Sequence, residues 1–392
     1  MPDRRSRIAG GEDPDGSAGG AGSRAPRGID RSDDRVRTLS TLHRVMARPE
    51  ATAIAGTVLV FAIFGATAGR SGMFALDGVI GWSVVSGYLG ILAVGACLLM
   101  IAGEFDLSIG SMIGFTGMVA AIPPLHFGWP VWLSMVASLA CALVLGFVNG
   151  QLVVRTGLPS FIVTLAFLFV LRGLTLAFSV IVADRTIVSG IGDLAERDPV
   201  AGLLFAGTFG DDLFGWLASH HWIRTLDDGT PLVRGIPKVL LWWAAIAAAS
   251  AFQLTRTRFG NWIFAVGGDA GAARNVGVPV KRVKVSLFLF TALCGWLFAM
   301  LQICDVGSAA ADRGLQKEFE AVIAAVIGGS LLTGGHGSVI GACFGALIFG
   351  VVQIGITYTN LNSEWFRVFL GLMLLLAVLF NHQVRRRVAQ VR

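Results

Sequence analysis

The chain has 392 residues, of which 54% are hydrophobic and only 14% are charged, and its formal net charge is +6. Soluble domains contain about 25% charged residues, so this chain lacks the polar residues that would cover a water-exposed surface. The composition therefore excludes a set of soluble globular domains and predicts one polytopic membrane domain. The positive charge does not indicate nucleic-acid binding, because it clusters at the termini and in one internal loop, as in cytoplasmic segments of membrane proteins.

Residues 1–48 differ in composition from the rest of the chain. Gly, Arg and Asp are frequent there, and no apolar run resembles the core of a signal peptide. Too little apolar surface is present to offset the entropy of ordering the segment. We predict a disordered cytoplasmic tail over 1–48, a transmembrane domain over 49–384 and a basic cytoplasmic tail over 385–392.

Ten apolar runs follow the tail, and most approach the roughly 20 residues that cross a bilayer as a helix. They cover 51–69, 79–101, 107–123, 130–153, 161–182, 237–254, 285–304, 319–333, 338–359 and 365–381. The third and eighth runs are short, which leaves a re-entrant path open for both. Glycines recur at small-xxx-small spacing at Gly110 and Gly114 and at Gly337, Gly341 and Gly345, which predicts close helix packing. The predicted fold is an all-α membrane protein with about ten transmembrane helices.

A polar stretch, residues 102–111, interrupts the apolar sequence between the second and third runs. It reads Ala-Gly-Glu-Phe-Asp-Leu-Ser-Ile-Gly-Ser and contains the carboxylates of Glu104 and Asp106. An ionisable group at membrane depth costs roughly 2.5–3.5 kcal/mol on insertion scales, so one that is kept there usually lines a pathway or a turn. The stretch predicts broken or closely packed helices at a transport site.

Charges in the connections predict the topology. The loop 183–236 contains eight acidic residues and four arginines. The loop 255–284 has a single acid, Asp269, and is otherwise basic: Arg256, Arg258, Arg274, Lys281, Arg282 and Lys284. The positive-inside rule makes 255–284 a cytoplasmic loop and 183–236 a periplasmic one, with the amino and carboxyl ends in the cytoplasm.

The basic loop contains the pattern of a short capped helix. Asp269 suits the N-cap of an Ala-rich run, Gly277 suits a left-handed C-terminal position, and Pro279 stops any continuation. The pattern predicts a helix of about two turns. Such a helix is either an element that the groove of a partner protein grips or a basic connector at the lipid headgroups.

These features together resemble the permease subunits of ATP-binding-cassette (ABC) importers for simple sugars of the ribose, xylose and galactoside type. The resemblance extends over about residues 50–385 and rests on motifs in the family's order and spacing: Gly103 to Ser111, Asn149-Gly150, Pro159 to Leu165, Arg172 to Leu174, Phe259 to Gly277 and Gly328 to Gly337. It implies an ABC importer permease fold with a short cytoplasmic coupling helix in 255–284, in a multi-pass protein of the bacterial inner membrane.

The resemblance also implies partners. They are ABC ATPase subunits at the cytoplasmic loops, a periplasmic or lipoprotein sugar-binding protein, and a second permease copy, either the same chain or a paralogue; lipid surrounds the assembly. No Gly-x-x-x-x-Gly-Lys-Ser/Thr motif occurs in this sequence. We therefore expect no cofactor on this chain, with ATP and Mg²⁺ on the partner ATPase. No metal-ligand or nucleophile pattern occurs either, so neither a metal site nor an enzyme is predicted.

A neutral, hydroxyl-rich sugar requires hydrogen-bonding side chains along its path. The candidate pathway residues are Glu104, Asp106, Ser108, Ser111, Asn149, Thr164, Arg172, Gln302 and Gln353. Two of them have a structural alternative: Asp106 caps the third helix at Ser108 or Ile109, and Arg172 extends to the membrane interface. The candidate ATPase-coupling residues are Gly268, Asp269, Ala272, Ala273, Arg274 and Gly277.

The sequence thus predicts a subunit that forms the translocation pathway for a pentose or hexose delivered by an extracytoplasmic binding protein. Two alternatives stay open. An ion-coupled secondary transporter would use Glu104 and Asp106 at a broken helix near the midplane. A branched-chain amino-acid ABC permease is the other alternative, although amino-acid substrates would favour charge pairs and the predicted pathway has few cations.

Overall fold

The computed structural model of the chain describes residues 49–359, 361–362 and 364–390. The tail predicted to be disordered, residues 1–48, lies outside the described residues, as do residues 391 and 392 of the predicted basic tail. The described chain is a helical bundle with four short strands. Its first half contains α1 (Pro49–Ala68), α2 (Leu76–Ile101), α3 (Ile109–Phe127), α4 (Val131–Thr156), α5 (Ser160–Ala183), β1 (Ile187–Ser189), α6 (Ile191–Arg197), α7 (Pro199–Leu204), β2 (Thr208–Phe209) and α8 (Asp211–Ser219).

The second half contains the remaining elements in chain order. They are β3 (Ile236–Pro237), α9 (Lys238–Arg256), α10 (Arg258–Gly268), α11 (Ala270–Asn275), α12 (Val280–Val306), β4 (Ser308–Ala310), α13 (Lys317–Ile327), α14 (Val339–Tyr358) and α15 (Trp365–Gln390). In the described ranges, eight helices are long and apolar enough to cross a membrane: α1 to α5, α9, α12 and α14. They correspond to eight of the predicted runs and confirm an all-α polytopic membrane protein.

The predicted eighth run, 319–333, is helical over only part of its length, which agrees with the re-entrant alternative left open for it. Its helix α13 has 11 residues, which rise about 16 Å, roughly half of a 30 Å hydrocarbon core. Gly329, Gly334 and Gly335 then adopt positive φ angles, so the chain leaves α13 through turns. The third run, in contrast, is the spanning helix α3. The tenth lies in α15, whose described apolar stretch is Trp365–Leu376.

Four helices form the centre of the bundle. Between 67% and 78% of the apolar stretch is buried in α2, α3, α12 and α14, against 17–22% in α1, α5 and α9. The low burial of α1, α5 and α9 leaves most of their apolar side chains on the outside of the bundle, as expected for helices at the periphery of a membrane protein.

The predicted close packing at glycines is confirmed. A Cβ on Gly345 would lie 2.0 Å from the Ala324 carbonyl oxygen, and a Cβ on Gly341 would lie 1.9 Å from the Gly328 carbonyl oxygen.

The alternating spans give the bundle two ends. We call the end with the connection between α9 and α12 the basic end, since its loop 255–284 carries the lysines and arginines. The opposite end holds the connection between α5 and α9 and is called the acidic end. Two small antiparallel ribbons lie there: β1 pairs with β4, and β2 pairs with β3.

Candidate translocation site and coupling segment

Residues 102–108 form a break between α2 and α3, and it begins at Gly103. The φ of Gly103 is 82°, a left-handed conformation that favours glycine. Its amide donates to the Met100 carbonyl at 2.9 Å, and the Glu104 amide donates to the Leu99 carbonyl at 3.1 Å. These bonds satisfy carbonyls of the last helical turn in a Schellman arrangement. The predicted interruption is therefore a terminated helix followed by a new one.

Hydroxyl groups of α5 bind the backbone of the break. The Phe105 amide donates to Ser160 Oγ at 2.9 Å, and the Leu107 amide donates to Thr164 Oγ1 at 3.0 Å. Non-helical backbone at membrane depth is tolerated where protein groups satisfy its hydrogen bonds. Ser160 and Thr164 are both buried. Thr164, a predicted pathway residue, thus holds the break against α5.

Asp106 is the centre of a buried hydrogen-bond network. Its Oδ1 accepts from the Ser108 amide at 2.9 Å and from the Ser108 hydroxyl at 2.6 Å. Its Oδ2 accepts from the Thr291 hydroxyl of α12 at 2.7 Å. Asn149 of α4 donates from Nδ2 to Ser108 Oγ at 2.9 Å. The predicted bond to the Ser108 amide is present, but Asp106 does not cap α3, because the N-cap is Ser108 and no side chain caps that end. The network joins the break to α4 and α12.

The network is closed to solvent. Asp106 is 7% exposed, and the other members of the network, Ser108, Asn149 and Thr291, are at most 1% exposed. Among the described residues, no hydrogen-bond partner lies at Asn149 Oδ1 or at Ser111 Oγ. The amide oxygen accepts and the hydroxyl donates or accepts, so both atoms retain capacity for a hydroxyl-bearing ligand.

Glu104 forms an ion pair with Lys284 near the start of α12. The two side chains are 10% and 19% exposed, so most of their surface is removed from water. A buried charge whose partner is removed is strongly unfavourable, which makes each member of the pair dependent on the other. The pair fastens the first residues of the break to α12. A direct contact of Glu104 with substrate stays a prediction.

The coupling segment, residues 258–277, consists of α10, α11 and the turn that follows them. Asp269 Oδ1 accepts from the Gly271 amide at 2.8 Å and from the Ala272 amide at 2.9 Å. Gly277 has a φ of 87°. These contacts confirm the predicted N-cap and the left-handed C-terminal position. Pro279, which was predicted to stop the helix before it, is also the N-cap residue of α12, whose first residue is Val280.

The predicted coupling residues differ in exposure. Ala273 is buried against the bundle. The others are exposed: Gly268, Asp269, Ala272, Arg274 and Gly277. Val276, which was not among the predicted residues, is 79% exposed. The outward face of α11 at the basic end therefore presents small side chains, one cation and one apolar side chain.

Four glycines lie where the coupling segment meets the break. The Gly335 amide donates to the Ile101 carbonyl at 2.8 Å. A Cβ on Gly267 would lie 1.7 Å from that carbonyl oxygen, and a Cβ on Gly334 would lie 2.9 Å from the Cα of Gly103. We call Gly103, Gly267, Gly334 and Gly335 the glycine junction. It places the backbones of α10, the break and the loop after α13 in direct contact.

Comparison with known proteins decides the family. The family model that matches residues 78–378 is described as the permease component of the branched-chain amino acid transport system. This chain belongs to that family of permeases. No solved structure matches the permease.

Three relatives show what the permease is similar to, and two of them carry a substrate in their names. The xylose transport system permease protein XylH of Escherichia coli K12 is 33% identical over 327 residues, covering 76% of this chain and 83% of that protein. The ribose import permease protein RbsC of Escherichia coli K12 is 29% identical over 294 residues, covering 75% and 82%. The probable ABC transporter permease protein y4mJ of Sinorhizobium fredii is 31% identical over 297 residues, covering 76% and 79%.

Three predicted pathway residues of the permease lie apart from the Asp106 network. Arg172 is on α5, Gln302 on α12 and Gln353 on α14, and each is half-buried. In the described part of the chain, no hydrogen bond joins any of them to the network. Gln353 Oε1 is buried without a hydrogen-bond partner there. The structure therefore assembles Asp106, Ser108, Asn149 and Thr164 around the break and leaves these three elsewhere.

Sequence reasoning missed four residues of this region. Ser160 lies in the motif Pro159 to Leu165 but was not named as a site residue, Thr291 is a hydroxyl in an apolar helix without a local signal, and Lys284 was counted only as a loop charge. Glu318 on α13 is buried, and a Cβ on Gly110 would lie 1.9 Å from its Oε2. An acidic residue at the start of an apolar run was the available signal for Glu318.

Proposed function

We propose that this permease is the membrane-spanning subunit of an ATP-driven importer that passes a pentose or hexose across a bacterial inner membrane. The family match and the similarity to proteins named as xylose and ribose permeases support the proposal. In this proposal the basic end and both termini face the cytoplasm, following the positive-inside rule. An extracytoplasmic binding protein, periplasmic or lipid-anchored, delivers the sugar at the acidic end.

The observation that carries the proposal is the connection between α11 and the break. α11 is exposed and capped, and α10 before it touches the end of α2 through Gly267. An added Cβ at Gly267 would clash with the Ile101 carbonyl, so the backbones of α10 and α2 are in direct contact there. A displacement of α10 must therefore move the end of α2 or separate the two backbones. A partner that binds α11 would therefore act directly on the break.

The ATPase belongs to a partner in this proposal, since the sequence has no Gly-x-x-x-x-Gly-Lys-Ser/Thr motif to bind ATP and Mg²⁺. The ATPase subunit binds the outward face of α11 around Arg274. Its movement passes through the glycine junction to the break. The Glu104–Lys284 pair and the Asp106–Thr291 hydrogen bond then transmit it to α12. Two permease copies, identical or paralogous, enclose the pathway.

The free polar atoms beside the break favour a neutral substrate. Ser111 Oγ and Asn149 Oδ1 are buried without hydrogen-bond partners in the described chain and belong to uncharged groups, as does Gln353 Oε1 farther away; Glu318 Oε2 on α13 also lacks a hydrogen-bond partner there. Hydroxyl and amide groups suit the hydroxyls of a sugar, whereas a zwitterionic amino acid requires opposite charges. Glu104 is already neutralised by Lys284. We therefore propose a sugar over a branched-chain amino acid.

Co-purification of the full-length, tagged chain from its native membrane tests the proposal. We expect an ATPase with a phosphate-binding loop to accompany it, and a sugar-binding protein to be captured when its ligand is present. The purified complex, reconstituted in liposomes, should accumulate labelled xylose or ribose in an ATP-dependent manner and should not accumulate leucine.

Two outcomes would contradict the proposal in different ways. A chain that purifies alone and transports under an ion gradient would establish a secondary transporter. A complex that accumulates leucine in place of sugar would retain the ATP-driven mechanism and replace the substrate class.

A further inference from the structure

The exposed tryptophans of the permease all lie at one end of the bundle. Five of its ten tryptophans are between 41% and 72% exposed: Trp129, Trp132, Trp216, Trp222 and Trp365. All five lie in connections or at helix ends of the acidic end. Trp365 belongs there because α14 starts beside Glu50 at the beginning of α1, at the basic end, and so ends at the acidic end. The other five are buried or half-buried. Tryptophan is enriched at membrane–water interfaces, so this distribution marks a candidate lipid boundary at the acidic end.

Helix α8, in the connection between α5 and α9, carries Trp216, and Trp222 lies three residues after the end of the helix. Phe214 and Ala218, four residues apart, are buried and face the protein. Leu213 and Trp216, three residues apart, are 57% and 49% exposed. Trp222 packs edge-to-face on Trp216, with 5.7 Å between the ring centroids. The helix is therefore apolar on both its inner face and part of its outer face, which is unlike a helix exposed only to water.

Contacts with the spans fix the level of this connection. The Trp132 amide, at the start of α4, donates to Asp198 Oδ2 at 3.1 Å. Arg224 forms an ion pair at 3.9 Å with Asp77 in the first turn of α2. Strand β2 pairs with β3, which directly precedes α9, and α8 starts two residues after β2. The connection thus packs against the ends at which three apolar spans begin, and such ends of spanning helices are where lipid headgroups are expected.

We propose that Leu213 and Trp216 of α8, together with the exposed rings of Phe209 and Trp222, bind the headgroup–acyl boundary of the leaflet at the acidic end. The exposed Trp129 and Trp132 at the start of α4 continue the same boundary. Interfacial helices bind through buried apolar area and attraction of basic residues to anionic lipid. The first turn of α8 instead carries Asp211 and Asp212. The burial of apolar side chains must then provide most of the binding free energy. Because the two aspartates would be repelled by anionic lipid, zwitterionic lipid is the expected partner.

Site-directed spin labelling of the full chain in phosphatidylcholine nanodiscs tests this surface. A nitroxide is attached to Leu213→Cys, and Asp212→Cys on the same helix serves as the matched control; Asp212 is also exposed. The unsubstituted chain measures labelling of the native cysteines, which are buried or half-buried. The readout is the ratio of collision rates with oxygen, which partitions into lipid, and with a nickel chelate, which stays in water.

A several-fold higher ratio at position 213 than at position 212 supports the lipid contact. Equal ratios at the two positions, with free access of the nickel chelate, would show that the surface faces water and would overturn the proposal. A label at 213 that becomes shielded from both reagents only when the sugar-binding protein or a second copy is added would identify a protein partner and would overturn it as well.

Discussion

The break at 102–108 and the coupling segment at 258–277 are both interruptions between spanning helices, yet different partners stabilise them. Side chains from α4, α5 and α12 bind the break, and its two carboxylates are paired or hydrogen-bonded. In the coupling segment Asp269 caps the start of α11, and the outward face of α11 is exposed. Irregular backbone inside the bundle depends on other helices, whereas at the surface local caps and water suffice.

This contrast predicts that changes around the break cost stability, and that changes on the outward face of the coupling segment cost function. The largest effect is expected for the ion pair. Lys284→Met leaves Glu104 as an unpaired, largely buried carboxylate, which should lower the free energy of unfolding by about 3–5 kcal/mol. Denaturant unfolding of the chain in nanodiscs measures the change.

The double variant Glu104→Gln with Lys284→Met is the control for the ion pair. It removes both charges and should recover most of the lost stability. If the double variant is as unstable as Lys284→Met alone, the loss comes from packing and not from an unpaired charge.

The Asp106 network should give the next largest effect. Asp106→Ala removes the acceptor of three hydrogen bonds, for an expected loss of about 3 kcal/mol at roughly 1 kcal/mol each. Thr291→Val removes one of them and should cost about 1 kcal/mol. Equal losses in the same unfolding assay would show that the bond to α12 carries the network, contrary to this ranking.

A smaller loss of stability, with a larger loss of uptake, is expected at the glycine junction. In Gly267→Ala the new methyl meets the Ile101 carbonyl oxygen, and such overpacking costs about 1–3 kcal/mol. Gly81→Ala within α2 is the matched control, because no atom lies within 4 Å of its added Cβ and it is outside the coupling segment. ATP-dependent uptake by the reconstituted importer should fall only in Gly267→Ala. Equal uptake by the two variants would remove the junction from the mechanism.

Arg274→Glu should have the smallest effect on stability, within about 0.5 kcal/mol, since the residue is exposed. We expect it to separate ATP hydrolysis from uptake by weakening the contact with the ATPase. Lys281→Glu makes the same change of charge at the same end, outside the coupling segment, and should retain sugar-stimulated hydrolysis. Normal sugar-stimulated hydrolysis and uptake in Arg274→Glu would contradict a coupling role for α11.

Local sequence patterns predicted the spanning helices and the capped helix α11 correctly. An apolar run of about 20 residues has one compact solution in lipid, a helix, because its backbone must satisfy its own hydrogen bonds. Asp269 and Gly277 act on neighbouring backbone, so their spacing alone places the ends of α11. The run 319–333 stayed open between a span and a re-entrant path, because its apolar character continues through glycines that end α13.

The sequence by itself determined the membrane class, eight of the spans, the charge difference between the two ends and the motifs shared with the family. The tertiary structure alone decided which residues meet. Lys284 is 180 positions from Glu104, and Thr291 is 185 from Asp106. Such pairs depend on which helices pack and at what register, and apolar spans of similar composition do not encode that choice locally. The contact of Gly103 with Gly334 could not be predicted from the sequence either. A glycine that turns the chain and a glycine that lets another backbone approach closely are the same residue in a sequence.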